Sequence, residues 1–262
     1  MSIDKKNEKP IGVFDSGVGG ISVLRELVKI MPNENYLYFG DSMNAPYGTK
    51  EVSVIRELTI KNIKKLLDMG AKSIVVACNT ATSAAVRVLR QMYPEIPLVG
   101  IEPAIKPAVE YKEKSRVVVM ATPMTLKQEK FQNLMKKYEN QAEIVPLPCP
   151  GLMEFVERGD LEGEDLYNYL SILFGSVNSK KIDSVVLGCT HYPFAKKAIE
   201  AVVGKDVQIF DGGEGTAREM RRRMQCASLI NPSKEKGTVK FINSKDTEEE
   251  RELCEFLLNL KM

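Results

Sequence analysis

A single histidine, His191, stands in this chain of 262 residues, and the five cysteines (78, 149, 189, 226 and 254) include no C-x-x-C pair. A closed structural zinc site, which draws its ligands from Cys and His, is therefore not expected. Five cysteines scattered over this length do not make a disulfide framework either, so free thiols in a reducing compartment are the expectation. No apolar run approaches the ~20 residues that a membrane-spanning helix needs. The first nine residues are polar and carry no apolar signal-peptide core, which makes a cytoplasmic protein the expectation. The net charge is only +2, too little for a field that would gather nucleic acid or a membrane surface. Arg218, Arg221, Arg222 and Arg223 do cluster, but Glu214 and Glu219 sit among them, the pattern of a solvated helix face. Nucleotide motifs are missing as well. The glycines at 17, 19 and 20 fail G-x-G-x-x-G because position 22 is Ser, and there is no G-x-x-x-x-G-K-[ST]. What such a turn can still do is present backbone N–H groups to a small anion such as a carboxylate.

What the chain does have is an apolar run that ends in chemistry. Val185-Val186-Leu187-Gly188-Cys189-Thr190-His191-Tyr192-Pro193 reads as a buried strand delivering a thiol, a hydroxyl and the histidine, with Pro193 at the start of the next helix. Ile74-Val75-Val76-Ala77-Cys78-Asn79-Thr80 echoes it. Around these two stretches, strands are expected at 11–14, 36–39, 73–77, 98–101, 116–120, 143–146 and 207–210, with an edge strand at 238–242. Helices are expected from Ile21 to Met31, over 51–69, from Asn79 to Met92, after Pro103, over 126–138, 152–158 and 164–177, through the arginines, and over 246–260. Strands alternating with helices of this length specify an α/β fold with mainly parallel sheets. The alternation also repeats. Asp15 closes a strand and Cys78 another further on, and Thr122 and Cys189 do the same in the second half. Two pseudo-symmetric α/β domains would each place one cysteine at the carboxyl edge of a sheet, where such folds bind ligands.

Cys149, Cys226 and Cys254 read as packing or turn residues. Cys78 and Cys189 differ, because hydrogen-bonding side chains follow each at once. His191 reads either as a structural histidine or as an acid–base partner of Cys189. Asp15, Ser16, Asn79, Thr80 and Thr190 read either as helix caps or as groups facing a ligand. A thiol protease needs one nucleophile, and a redox pair favours C-x-x-C; two separate thiols suit removal of a proton from one face of a carbon and delivery to the other. A thiol's ordinary pKa of ~8.5 leaves a usable thiolate fraction near neutral pH.

The segments Phe14-Asp15-Ser16-Gly17-Val18-Gly19-Gly20, Asp41-Ser42 with Pro46-Tyr47-Gly48, Ala77-Cys78-Asn79-Thr80-Ala81 and Gly188-Cys189-Thr190-His191-Tyr192-Pro193 together resemble the bacterial glutamate racemases of the aspartate/glutamate racemase family. The resemblance implies cofactor-independent 1,1-proton transfer between L- and D-glutamate for peptidoglycan synthesis, with no pyridoxal phosphate and no metal. It implies Cys189 as base toward L-glutamate and Cys78 toward D-glutamate, assisted by His191 and Asp15 respectively. Ser16, Tyr47, Gly48, Asn79, Thr80, Thr122, Thr190 and His191, with Asp15, would line the substrate site. A looser match around Leu152-Met153-Glu154 would bring an acidic residue near it. The implied architecture is a discontinuous first domain, 1–98 plus 207–262, a second domain, 99–206, and an active site in the cleft between them. A homodimer is expected, with no nucleic-acid or membrane partner. The rival readings are an aspartate racemase, an amino-acid-binding protein on the same fold, and a thiol-dependent hydrolase.

Overall fold

A computed structural model describes residues 6–177 and 180–261. In chain order the strands are β1 (Ile11–Asp15), β2 (Tyr36–Gly40), β3 (Ser73–Val76), β4 (Leu98–Gly100), β5 (Arg116–Ala121), β6 (Glu143–Pro148), β7 (Ser184–Leu187), β8 (Gln208–Asp211) and β9 (Val239–Asn243). The chain forms two units, each with its own sheet. One comprises the chain up to Glu102 together with Gly213–Asn259; the other comprises Pro103–Gly212 with Leu260 and Lys261.

In the first unit every pairing is parallel, in the order β4-β3-β1-β2-β9. The strands owe their continuous apolar character to burial on both faces: every residue of β1, β2 and β3 is buried. The Asn79–Met92 helix covers this sheet with Ala81, Ala85, Val86 and Leu89, a stripe at helical spacing that joins Phe14, Ile74 and Val76 in one core. Each large aliphatic side chain so buried stabilises the unit by roughly 1.5–3 kcal/mol. Where the chain turns after β1 it passes so close that a Cβ on Gly20 would lie 2.5 Å from Asp15 Cβ and 3.0 Å from Ala77 Cβ. Glycine is what lets the two strand ends approach.

The second unit is also parallel throughout, in the order β6-β5-β7-β8. Substituting β5 for β1, β6 for β2, β7 for β3 and β8 for β4 turns the β4-β3-β1-β2 part of the first sheet into the second, with β9 as an added edge strand, so the α/β repeat expected from the sequence is present. Cys78 and Cys189 follow equivalent strands, β3 and β7, and Asp15 and Thr122 end or follow β1 and β5. Here too a glycine is required, because a Cβ on Gly188 would lie 2.6 Å from the carbonyl oxygen of Met120.

The sequence boundaries shift in particular places. The hand-over expected at 98 cuts into β4, which pairs into the first sheet, and the one expected at 207 falls just before β8, which pairs with β7 in the second. The helix expected over 126–138 is two helices, Pro123–Lys127 and Glu129–Tyr138, because Gln128 is extended (φ −70°, ψ 134°). Pro193 opens a 3-10 turn, Tyr192–Ala195, before the α-helix begins at Lys196. The expected edge strand is β9, at the end of the first sheet. Cys226, expected to be packed, is exposed at the end of the Gly213–Cys226 helix.

Candidate active site

Cys78 leaves β3 with extended backbone (φ −76°, ψ 123°) and caps the Asn79–Met92 helix itself: its sulfur accepts from the Ala81 N–H at 3.5 Å. That geometry points the positive end of the helix at the sulfur, which favours negative charge there. Of the residues whose capping role the sequence left open, Asn79 and Thr80 are thus inside the helix rather than at its cap. Both are buried, and Asn79 Oδ1 is a buried acceptor with no hydrogen-bond partner among the described residues. A buried carbonyl without a donor is costly, and such an oxygen is able to accept from a ligand's N–H. Ser16 Oγ lies 3.5 Å from Cys78 Sγ. Asp15 is fully buried at the end of β1, and its Oδ1 accepts from the Gly17 N–H at 2.9 Å.

Tyr47 stands on the loop after β2, its ring 6.3 Å from that of Phe14. Its hydroxyl donates to Asp41 Oδ2 at 2.7 Å, and the same carboxylate accepts from Asn62 Nδ2 at 2.9 Å and from Asn44 Nδ2. Burial, followed by the hydrogen bond and charge of Asp41, pushes the phenol well up. Because the Tyr47 hydroxyl is committed to Asp41, what the Pro46–Gly48 stretch has to offer a ligand is backbone.

In the second unit, Cys189 is half-buried after Gly188, and its sulfur lies 3.7 Å from His191 Nδ1. The other ring nitrogen, Nε2, lies 3.2 Å from Glu157 Oε1, so thiol, imidazole and carboxylate stand in line. His191 is 2% exposed. Burial alone would push its pKa down; the hydrogen bonds and charges of Cys189 and Glu157 together outweigh burial and raise it to about 10. Both neighbours thus favour the protonated ring. Thr190 is buried beside it. Thr122 caps the Pro123–Lys127 helix, its Oγ1 accepting from the Thr125 N–H and lying 2.9 Å from Thr125 Oγ1. Cys149 is buried with its thiol on the Leu147 carbonyl, and burial, then the Cys189 charge, pushes it up out of the reactive range.

Sequence reasoning missed Glu157 and left Asp41 without a role. The Leu152–Glu157 helix offered two acidic residues one turn apart, Glu154 and Glu157. Glu154 is exposed, whereas Glu157 points at His191. Among the described residues no group of three His, Cys, Asp or Glu side chains is placed to hold a metal ion, and no helix is long and apolar enough to cross a membrane.

The family model for Asp/Glu/Hydantoin racemase matches residues 11–220, a span that contains both clusters. The chain is 52% identical over 256 residues to the glutamate racemase of Clostridium botulinum (strain Alaska E43 / Type E3), covering 98% of this chain and 99% of that one. Its fold is similar to that of the glutamate racemase of Francisella tularensis crystallised with D-glutamate, with a TM-score of 0.84 at 29% identity over 98% of this chain and 96% of that one. It is also similar to the Escherichia coli glutamate racemase in complex with L-glutamate and the activator UDP-MurNAc-ala, with a TM-score of 0.80 at 30% identity over 94% and 92% of the two chains.

Proposed function

We infer glutamate racemisation from one premise: the chain belongs to the Asp/Glu/Hydantoin racemase family. The reaction we propose is 1,1-proton transfer at the α-carbon, interconverting L- and D-glutamate with neither pyridoxal phosphate nor a metal. The observation that carries it is the pair of thiols after equivalent strands, each with its own polar partner: Ser16 at Cys78, and His191 backed by Glu157 at Cys189.

Toward L-glutamate, Cys189 as thiolate takes the α-proton, and the Cys78 thiol delivers a proton to the opposite face. The enzyme is left with Cys189 as thiol and Cys78 as thiolate, which is the state that accepts D-glutamate for the reverse reaction. A thiolate is a weak base for an α-proton, so negative charge on the substrate must be met by groups already oriented for it. A positively charged His191 ring beside Cys189 favours the thiolate that takes the α-proton. At Cys78 the helix N-terminus favours the thiolate state, and we assign to the buried Asp15 the matching proton partner's role. Asn79, with its unpartnered carbonyl, accepts from the substrate ammonium. Ser16, Thr80, Thr190, Thr122 and the Tyr47–Gly48 backbone bind its carboxylates.

D-Glutamate so made serves peptidoglycan synthesis in the cytoplasm. The activator of the E. coli relative supports this, since it carries muramic acid, a cell-wall sugar. The test is to give the purified protein L-glutamate with a chelator and no added cofactor and to follow optical rotation. Decay to zero supports the reading. Turnover of L-aspartate alone would move the substrate, and silence with both would remove the two-thiol reaction.

A further inference from the structure

The loop that carries Tyr47 is held by a part of the chain that lies some 200 residues away. Ser244 N–H donates to the Gly40 carbonyl at 2.9 Å, and Met43 N–H donates to Ser244 Oγ at 2.8 Å. Asn243 Nδ2, at the end of β9, donates to Ser42 Oγ at 2.8 Å. These contacts converge on Glu250, in the first turn of the Glu248–Asn259 helix. Its Oε2 accepts from Ser42 Oγ at 3.2 Å and from Asn243 Nδ2 at 2.9 Å, and its Oε1 accepts from Lys245 Nζ at 2.9 Å. Ser42 and Asn243 are buried, and the Glu250 side chain is 12% exposed.

The local sequence makes this arrangement unexpected. Thr247-Glu248-Glu249-Glu250 is a capping-box sequence, in which the last acid would ordinarily reach back to the N–H of the capping residue. The first half of the box is present, with Thr247 Oγ1 accepting from the Glu250 N–H at 3.3 Å. The carboxylate is instead turned to Ser42, Asn243 and Lys245. Three donors meet there, and of the side chains that fit the position only a carboxylate brings acceptors alone. The next residue back from Ser42 is Asp41, whose carboxylate holds the Tyr47 hydroxyl.

We propose that Glu250 is a positioning residue for the reaction: it fixes Ser42, and through Asp41 and the loop it sets the Tyr47–Gly48 backbone against the substrate. This rests on the reading of Tyr47 and Gly48 as substrate-binding. Glu250→Gln keeps the volume but sets an NH2 group against donors, so the loop start must shift.

The experiment compares the full-length protein with Glu250→Gln, Glu250→Asp and, as a control on the opposite, solvent-exposed face of the same helix, Glu252→Gln. It reads KM and kcat for glutamate in both directions, and amide hydrogen exchange over residues 42–48. Glu250→Gln raises KM about tenfold in both directions while kcat changes far less, since binding rather than the proton transfers is disturbed. Exchange over 42–48 rises with it, Glu250→Asp recovers part of the KM, and Glu252→Gln matches the parent. Unchanged KM and unchanged exchange in Glu250→Gln overturn the proposal. So does a fall in kcat and melting temperature with KM unmoved, which is the mark of a merely structural residue. Should Glu250→Gln not fold, Ser42→Ala removes one link with the carboxylate in place, and a KM equal to the parent's there overturns the proposal equally. If the parent itself does not turn over glutamate, the functional reading falls; faster exchange over 42–48 in Glu250→Gln would still show that Glu250 holds the loop.

Discussion

Replacing Glu157 by Gln removes the carboxylate 3.2 Å from His191 Nε2 while leaving an amide of the same shape. His191 is raised from 6.5 to about 10, against the downward push of burial, by Cys189 and Glu157 together. A hydrogen bond to an ionised partner is worth roughly 1.5–3 kcal/mol, and each pH unit corresponds to 1.36 kcal/mol, so the variant's ring should titrate about one to two units lower. The sign for stability follows from the direction of the shift. A histidine whose folded pKa is raised contributes stability that is fully present below its unfolded pKa of 6.5 and is lost as pH rises through about 10. In Glu157→Gln that loss moves to lower pH. The assay is unusually clean, because the chain has one histidine and its ring Cε1–H gives one NMR resonance. The same variant should lose about 10- to 100-fold in turnover of L-glutamate, the direction in which Cys189 is the base. A parent ring titrating near 6.5, or a variant ring titrating where the parent does, would refute the reasoning.

Other perturbations act on the frame. Lys72→Met leaves the buried Glu34 carboxylate, 2.6 Å from Lys72 Nζ, without its cation and should cost about 3–5 kcal/mol by urea denaturation; a loss under ~1 kcal/mol would show that the pair is not what holds Glu34. Gly20→Ala forces a methyl to 2.5 Å from Asp15 Cβ and should destabilise by about 1–3 kcal/mol and depress turnover through Asp15; unchanged stability would mean that the β1 turn yields freely. Alkylation of the native protein followed by peptide mass mapping should label the exposed Cys226 and spare Cys149 and Cys254, which burial pushes up, Cys254 to about 12; rapid labelling of either buried thiol would contradict the packing described.

The repeat was legible because parallel strands buried on both faces leave unbroken apolar runs, such as Val75-Val76 and Val185-Val186-Leu187, that end abruptly in polar residues. What sequence could not decide was long-range. β8 looks like any other short strand, and only its pairing with β7 assigns it to the second sheet. Glu154 and Glu157 are equivalent to a periodicity argument, and which of them meets His191 depends on how one helix is seated. Cys226 is the instructive miss. Ala217, Met220 and Met224 mark the buried stripe of its helix, and position 226 lies two residues, about 200°, from Met224, on the opposite face. The helical phase already pointed it outward. Glu250 was hidden for a similar reason: its local sequence spells a capping box, and tertiary contacts with Ser42 and Asn243 claim the carboxylate instead.

The proposed action of two thiols on one α-carbon from opposite faces is open to isotope tracing during the first few per cent of turnover. With L-glutamate in D2O, chelator present and no cofactor added, the D-glutamate first formed should carry deuterium at Cα while the L-glutamate recovered remains protiated, because the group that takes the proton is not the group that returns one. Deuterium entering the recovered L-glutamate as fast as the product forms, or D-glutamate that retains its original hydrogen, would show one base serving both faces and would contradict the account.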